Sequence, residues 1–155
     1  MSRNTDGEKV VCVNRKARHD YSIIETYEAG LVLQGSEVKS LREGRANLKD
    51  SYARILKGEA FLLNTHISPY SAASQFNHDP NRTRKLLLHK NELRRLTGKV
   101  KERGLTLIPL RLYFKNGRAK VELGLAQGKR LYDKRETLRK KAAQRELERS
   151  LKTRN

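Results

Sequence analysis

The two residues that most restrict how this chain can fold are Asn116 and Gly117. They stand between two long apolar-rich runs, Leu105 to Phe114 and Arg118 to Leu125. Both tolerate positive φ, so the pair suits the two-residue turn whose twist matches that of antiparallel strands. Along the second run Val121, Leu123 and Leu125 alternate with Lys120, Glu122 and Gly124. One face therefore belongs to a core, and the other is open to solvent or a ligand. Val10 to Val13 and Tyr21 to Leu33 read as further strands, and Gly30 inside the longer one predicts a bulge or sharp bend. Ser51 to Leu56 and Ala60 to Leu63 flank Lys57-Gly58-Glu59, a second tight hairpin.

Two short helices interrupt the strands. Ser36 is placed to cap a turn whose apolar side is Val38 and Leu41, with Gly44 as its stop. Lys90 to Arg103 puts Leu93, Leu96 and Val100 on one face and ends at Gly104. A loop from Ser68 to Thr83 carries Pro69, Asn77, Asp79 and Pro80; at that length a loop is more often functional or mobile than incidental. Many short strands with two small helices make the expected fold mainly β. An OB-like closed antiparallel β-barrel with flanking short α-helices is the architecture that fits.

The 155 residues suffice for one domain, or one domain with a tail. Lys and Arg number 35 against 17 Asp and Glu, a net charge of +18. Such a surface favours polyanions, nucleic acid first and an anionic membrane surface second. No run approaches the roughly 18 apolar residues of a spanning helix, and no apolar signal segment follows the first charges. The single Cys12 excludes a disulfide framework and a cysteine-built zinc site. The expectation is a soluble, cytoplasmic protein without a membrane partner.

Residues 128–155 carry 11 basic and 4 acidic side chains, about three times the net charge per residue of the preceding part. Their core formers are few, so the segment buries too little apolar area to order itself alone. Yet no glycine or proline follows Gly128, Leu138, Ala142, Ala143, Leu147 and Leu151 trace a thin helical stripe, and Glu136 to Lys140 and Glu148 to Lys152 are favourable pairs. The tail is expected to be disordered when free and helical on a partner.

Enzymatic signatures fail. His19, His66, His78 and His89 have no ligand spacing, and no glycine-rich phosphate loop precedes a Lys-Ser/Thr pair. Cys12 lies between two valines and reads as a small core residue. Glu25 and Glu28 lack the third acidic ligand a hard cation requires. No catalytic residue, metal or cofactor is expected.

Basic clusters remain. Asn14-Arg15-Lys16-Ala17-Arg18-His19 opens the long strand, Arg82-Thr83-Arg84-Lys85 precedes Leu86 to Leu88, and Lys129-Arg130 and Lys134-Arg135 bracket Tyr132 and Asp133. Cations beside single aromatics suit structured RNA, where phosphates supply affinity and splayed bases offer stacking faces. No helix-turn-helix or zinc-finger pattern favours duplex DNA. Composition alone stops at an OB-like RNA-binding barrel over residues 1–127 with a basic tail over 128–155. A ribosomal or RNA-chaperone barrel with a basic arm shares every one of these features.

Longer strings go further. NRKARHDYSIIETYEAGLVLQGSEVKSLREGRANLKDSYA, GEAFLLNTHISPY, NHDPNRTRKLLLHK, LIPLRLYFKNGRAKVELGLAQGK and GKRLYDKR resemble bacterial small protein B, the family that binds transfer-messenger RNA (tmRNA) in trans-translation. The resemblance runs from roughly residue 9 to residue 150. It implies an OB-like barrel that binds the tRNA-like domain of tmRNA. It also implies a non-enzymatic adaptor that helps bring the alanyl-charged RNA, with elongation factor Tu and GTP, to ribosomes stalled without a usable codon. On matching positions it implies RNA binding by Asn14, His19, Glu28, Lys39, Leu87 and Lys120, to which the basic clusters add Arg15, Arg82, Arg84 and Lys85. Gly128, Lys129, Arg130, Tyr132, Asp133, Lys134 and Arg135 are implied in accommodation on the ribosome, at the decoding region and mRNA channel of the small-subunit rRNA.

Two of these residues carry double readings. Glu28 is odd beside a polyanion; it either accepts from a base amino group or a 2′-hydroxyl, or pairs with a nearby Arg. Leu87 either packs under a base or belongs to the strand of Leu86 and Leu88. For the tail, a helix from Tyr132 onward would reach roughly 36 Å, so its cations could follow an empty message path that mRNA would block.

Overall fold

The computed structural model describes residues 7–71, 77–128 and 131–153. Its two tight hairpins turn where the sequence places them. Asn116 and Gly117 have φ of 51° and 77°, and Lys57 and Gly58 have 52° and 77°. The first pair joins β8 (Thr106–Lys115) to β9 (Arg118–Gly128), and the second joins β4 (Tyr52–Leu56) to β5 (Glu59–Leu63). With β2 (Tyr21–Leu31) and β7 (Arg84–Leu87) they form a ring in the order β8-β4-β5-β7-β2-β9, closed by the β9–β8 pairing. Every pairing is antiparallel, and β1 (Glu8–Val13) lies along the other end of β8. This is the OB-like barrel expected, with its interior filled by Ala29, Leu62, Leu107, Leu112, Val121, Leu123 and Leu125. A second small sheet pairs β3 (Ala46–Asn47) with β6 (His66–Ile67), and four residues of helix, α1 (Ala17–Asp20), precede β2; no pattern announced either.

Two bulges decide which side chains face inward. Ile23 pairs with Ala126 on the outer face, and after one extra residue Glu25 pairs with Leu125 on the inner face. In β8, Pro109 pairs with Leu123 inside and Arg111 with Glu122 outside, again with one extra residue between. An inserted residue inverts the alternation of a strand, which a simple period-two reading misses. The bulge in β2 is therefore at Ile23–Glu25 and not at Gly30. Gly30 instead sits where β2 pairs with β9 and β7 at once, opposite Lys120 and Leu87. A Cβ there would lie 3.3 Å from the Leu87 Cβ, so close approach is what the glycine permits. Outside the ring Ile23, Ile108, Leu110 and Ala126 form a second apolar cluster under Ala17 of α1. Gly124, expected on an open face, is buried beneath Leu110 and Ile23.

The helix α3 (Lys90–Arg103) packs Leu96, fully buried, with Leu93 and Val100 against the barrel core and stops at left-handed Gly104, as its pattern required. Inverted by the bulge, Glu25 meets this helix. It pairs with Arg95 Nη2 at 3.1 Å and with Lys99, and accepts from Tyr27. These bonds, led by Arg95, hold its carboxyl down to about 2.

The helix α2 (Gly35–Arg42) corrects two sequence expectations. Gln34, not Ser36, precedes it as N-cap, and its backbone N–H donates to Glu37 Oε1 at 2.7 Å. Arg84, expected on an RNA-binding surface, is fully buried with Glu37: its Nε lies 2.5 Å from Glu37 Oε2. Its remaining N–H groups donate to Thr65 O at 2.7 Å and Pro80 O at 3.1 Å. Arg82 caps the same carboxylate at 2.6 Å from a position 30% exposed. Burial alone would raise the pKa of Glu37; hydrogen bonds from Arg82, the Gln34 N–H and Arg84 outweigh it and hold the carboxyl below its ordinary value. A fork of five donors suits this nest, and no nucleic acid can reach Arg84. Ser36 has another use, since its hydroxyl bonds Nδ1 of buried His78 at 2.8 Å. His78 Nε2 donates to Ile67 O at 2.8 Å, so the ring is held between a strand carbonyl and the Ser36 hydroxyl. Much of the 68–83 loop is thereby pinned; residues 72–76 lie outside the described ones.

The tail forms α4 (Leu131–Thr153), roughly 35 Å long at the standard rise. Every described side chain on it is exposed, Leu147 and Leu151 at 56%. The helical stripe thus leaves Leu147 and Leu151 unburied.

Removing one member of a buried ion pair strands the other, so Arg84→Ala should cost about 3–5 kcal/mol in urea denaturation at pH 7. Arg84→Lys should recover little, because one ammonium cannot span Glu37, Thr65 and Pro80 together. Glu25 makes a second prediction. Its folded pKa is depressed to about 2 from 4.5, so its contribution is complete above pH 4.5 and lost as pH falls toward 2. The melting temperature of Glu25→Gln should therefore vary less than the parent's between pH 4.5 and pH 2.

Candidate nucleic-acid interface

The candidate residues fall into separate groups. At the start of β2, Asn14, Lys16, Asp20, Tyr21, Lys49 and Asp50 line a recess of about 320 Å³ between α1 and β4. Arg15 and His19 are exposed on the same α1 segment. Asn14 itself supports the backbone, its Nδ2 donating to Pro109 O at 3.0 Å and its backbone N–H to Leu110 O at 2.8 Å. These are the carbonyls at the β8 bulge. An Asn holds the bulge that turns Arg111 outward.

Toward the end of β2, Glu28, Leu87 and Lys120 line a larger groove of about 540 Å³. Seven residues of β2, roughly 23 Å of strand, separate Glu28 from Tyr21 in the first recess. Leu31, Leu33, Val38, Leu87 and Phe114 supply an apolar floor, and His89 and Arg118 join the rim. Leu86 faces the core, whereas Leu87, a member of strand β7 as one of its two readings had it, is 54% exposed on the groove. Lys120 makes no ion pair among the described residues and is near enough to Glu28 to favour its charged form. Arg118 was not singled out by the sequence because Lys115, Arg118 and Lys120 are interrupted by Asn116, Gly117 and Ala119 and form no contiguous basic run. The hairpin turn brings it to the groove.

Among the described residues Glu28 pairs with no Arg. Tyr113 donates its phenolic O–H to Oε2 at 2.5 Å, and Lys115 Nζ lies 3.4 Å away. The Tyr113 bond leads in lowering the Glu28 pKa, so the carboxylate is ionised. Around them Arg111 stacks on the Tyr113 ring at 4.0 Å and bridges Glu8 at 3.0 Å and Glu122 at 3.3 Å.

The other candidates are scattered. Lys39 is exposed, with Nζ 5.5 Å from the Tyr70 ring centroid. Lys85 is exposed beside Glu59 at 3.4 Å, a pair of little energetic weight. Arg82 serves Glu37 first, as Arg84 does. Gly128 ends β9 and is exposed opposite Tyr21. Lys129 and Arg130 lie outside the described residues. Tyr132, Asp133, Lys134 and Arg135 fall on the opening turns of α4, and their side chains are not among those described. Cys12 packs against the core and burial pushes its thiol up to about 11, which leaves it unreactive. Among the described residues no three His, Cys, Asp or Glu come together as a metal site, and no helix is long and apolar enough to cross a membrane.

Fold and surface together define a basic OB-like barrel with one polar recess, one groove of apolar floor and charged rim, and a charged helical extension. The family model described as SmpB protein matches residues 11–153, and the chain belongs to that family. It is 66% identical to the SsrA-binding protein of Desulforudis audaxviator over 92% of this chain and 94% of the relative. The SsrA-binding protein of Geobacillus thermodenitrificans is 64% identical over 94% of both chains. A chain from a solved structure described as "tmRNA-SmpB: a journey to the center of the bacterial ribosome" superposes with a TM-score of 0.67. That chain is 57% identical, covering 83% of this chain and 94% of the other.

Because Asn14 serves a bulge, Asn14→Ala should lower stability by about 1–3 kcal/mol through the unpaired Pro109 carbonyl. Urea denaturation monitored by tyrosine fluorescence measures this loss.

Proposed function

We propose that this chain is a tmRNA-binding adaptor of trans-translation. Its barrel binds the tRNA-like domain of tmRNA, and the pair is delivered to ribosomes stalled without a usable codon, for rescue and peptide tagging. The observation that carries this reading is the likeness to proteins named SsrA-binding protein, which spans the barrel and the helical extension alike. The surface supports it: a net charge of +18 with free cations around an apolar groove suits a folded RNA.

The remaining steps belong to the same proposal. Lys120, Arg118, Lys39, Arg15 and His19 meet the RNA from the outer surface, while α4 takes the empty mRNA channel beside the decoding region. Polyanionic walls favour a tail that carries 11 cations over 128–155, eight of them within α4, and a message already in place excludes it. Selection of stalled ribosomes then needs no base to be read. Elongation factor Tu with GTP travels on the same alanyl-charged RNA, in the cytoplasm. Bond chemistry is left to the peptidyl-transferase centre, so no side chain here acts as an acid, base or nucleophile.

Filter binding to the tRNA-like fragment, with and without residues 128–155, tests the division of labour. Lys120→Glu should weaken binding at least tenfold, and each phosphate no longer neutralised should flatten the log–log salt slope by about 0.7–0.9. Alanine at Asp133, Lys134 and Arg135 should leave binding unchanged and abolish tagging of peptides on message-free ribosomes. A barrel of general RNA affinity would instead bind an unstructured oligonucleotide as well as the tRNA-shaped fragment.

A further inference from the structure

On β5 the side chains of Ala60 and Leu62 point into the barrel, at 1% and 0% exposure, so Phe61 between them points out. Phe114 is spent in the barrel core, whereas Phe61 is half-buried and packs against neither apolar cluster. The register sets one cation on each side of it. Arg54 of β4 pairs with Phe61 across one ladder, and Lys85 of β7 pairs with it across the other. Residues directly opposite on neighbouring strands share a face, so the three form one row, roughly 10 Å from end to end at the backbone. At the turn of the same hairpin Lys57 is exposed, and Leu56 beside it is 57% exposed.

The cations of this face are mostly unspent. Glu59 stands across from Leu56 and lies 3.4 Å from Lys85, with both side chains about half exposed. Arg54 and Lys57 make no ion pair among the described residues. Three cations against one carboxylate favour an anionic partner, and the outward ring offers that partner a flat apolar surface. Single-stranded nucleic acid supplies both halves of the match, since its phosphates meet the cations and its bases stack on the ring. A duplex keeps its base faces within its own stack, so only an unpaired strand suits. The face is distinct from the groove: Arg54, Lys57, Phe61 and Lys85 line no part of it. The two adjoin at β7, where Leu87 on the groove floor is two residues from Lys85. A strand leaving a folded RNA seated in the groove therefore reaches the row by crossing β7.

We propose that the outer face of β4, β5 and β7 is a second site, for single-stranded RNA, on which Phe61 stacks a base while Arg54 and Lys85 hold the phosphates beside it. This rests on the RNA-binding reading above and extends it: the folded domain occupies the groove, and the row takes an unpaired stretch of the same RNA outside its tRNA-like domain. Stacking accepts every base, so the site adds affinity without reading sequence.

Fluorescence anisotropy of a labelled oligouridylate of about ten nucleotides tests it, on the full chain already saturated with the tRNA-like fragment. The fragment fills the groove, so binding that persists uses another surface. The tail's cations hold any phosphate chain, and an abasic ribose–phosphate oligomer of equal length measures their share. The parent should bind the oligouridylate about tenfold more tightly than the abasic chain, and Phe61→Leu should abolish that preference. The urea midpoint of Phe61→Leu and its affinity for the tRNA-like fragment should stay near the parent's, because the ring supports neither core nor groove. Arg54→Ala combined with Lys85→Ala should flatten the log–log salt slope by about 0.7 for each phosphate released. A 4-thiouridine version of the oligomer should cross-link to the β5 strand. Should Phe61→Leu not fold, the cross-link and the double alanine variant decide the matter. No preference for uridines over the abasic chain, a preference that survives Phe61→Leu, displacement of the oligouridylate by the fragment, or cross-links confined to other elements would overturn the inference. Those outcomes leave the RNA-binding reading intact as long as the fragment itself binds the parent; if the fragment does not bind, that reading fails, and the oligouridylate alone still judges the row.

Discussion

Glu37 and Arg84 meet in the interior without solvent, and the groove on the surface depends on where they meet. Glu37 belongs to α2 and Arg84 to β7, and each is followed closely by a groove residue, Val38 in the helix and Leu87 in the strand. Fixing the ion pair therefore fixes the spacing of two walls. The pair is tolerable in a dry core because every strong donor of Arg84 has a carboxylate or carbonyl acceptor and Glu37 has three donors. Arg82, Pro80 and His78 draw the adjoining loop into the same arrangement.

Charge in this protein is divided by the barrel into two kinds. Arg84, Arg95, Lys99 and Arg111 are held by Glu37, Glu25, Glu8 and Glu122, and they join helices and strands to the ring. Arg118 and Lys120 have no such partner among the described residues and stand on the groove. The surplus of cations on the outside is what a polyanion meets. Glu25 and Glu28 illustrate the split for acids: three residues apart, they face opposite sides of one strand and answer to α3 and to Tyr113 respectively.

Much of the fold was legible in the chain. Both hairpins, the limits of α3 and the thin stripe of α4 follow from local chemistry: positive-φ turn residues, a 3.6-residue period, a left-handed Gly stop. The bulges were not legible, because an inserted residue leaves the composition of a run unchanged and alters only its partner's register. Arg82-Thr83-Arg84-Lys85 misled for a related reason. Four polar residues in a row look solvated, yet Arg84 alternates with Lys85 on a strand and turns inward to an acid 47 residues away. Of the candidate site, Glu28, Leu87 and Lys120 share one groove, whereas Tyr113, which orients the carboxylate, read only as one more aromatic in an apolar run.

What the sequence by itself determined is whatever a residue enforces on its neighbours: turn positions, helix ends, the alternation along β9 and an excess of positive charge great enough to name the partner class. Tertiary structure alone decided which charges were available to that partner. Availability depends on what stands opposite each side chain once the ring closes, and closure joins residues such as Asn14 and Pro109 that lie 95 positions apart. A cation's type is written in the chain, but its exposure is a property of pairing.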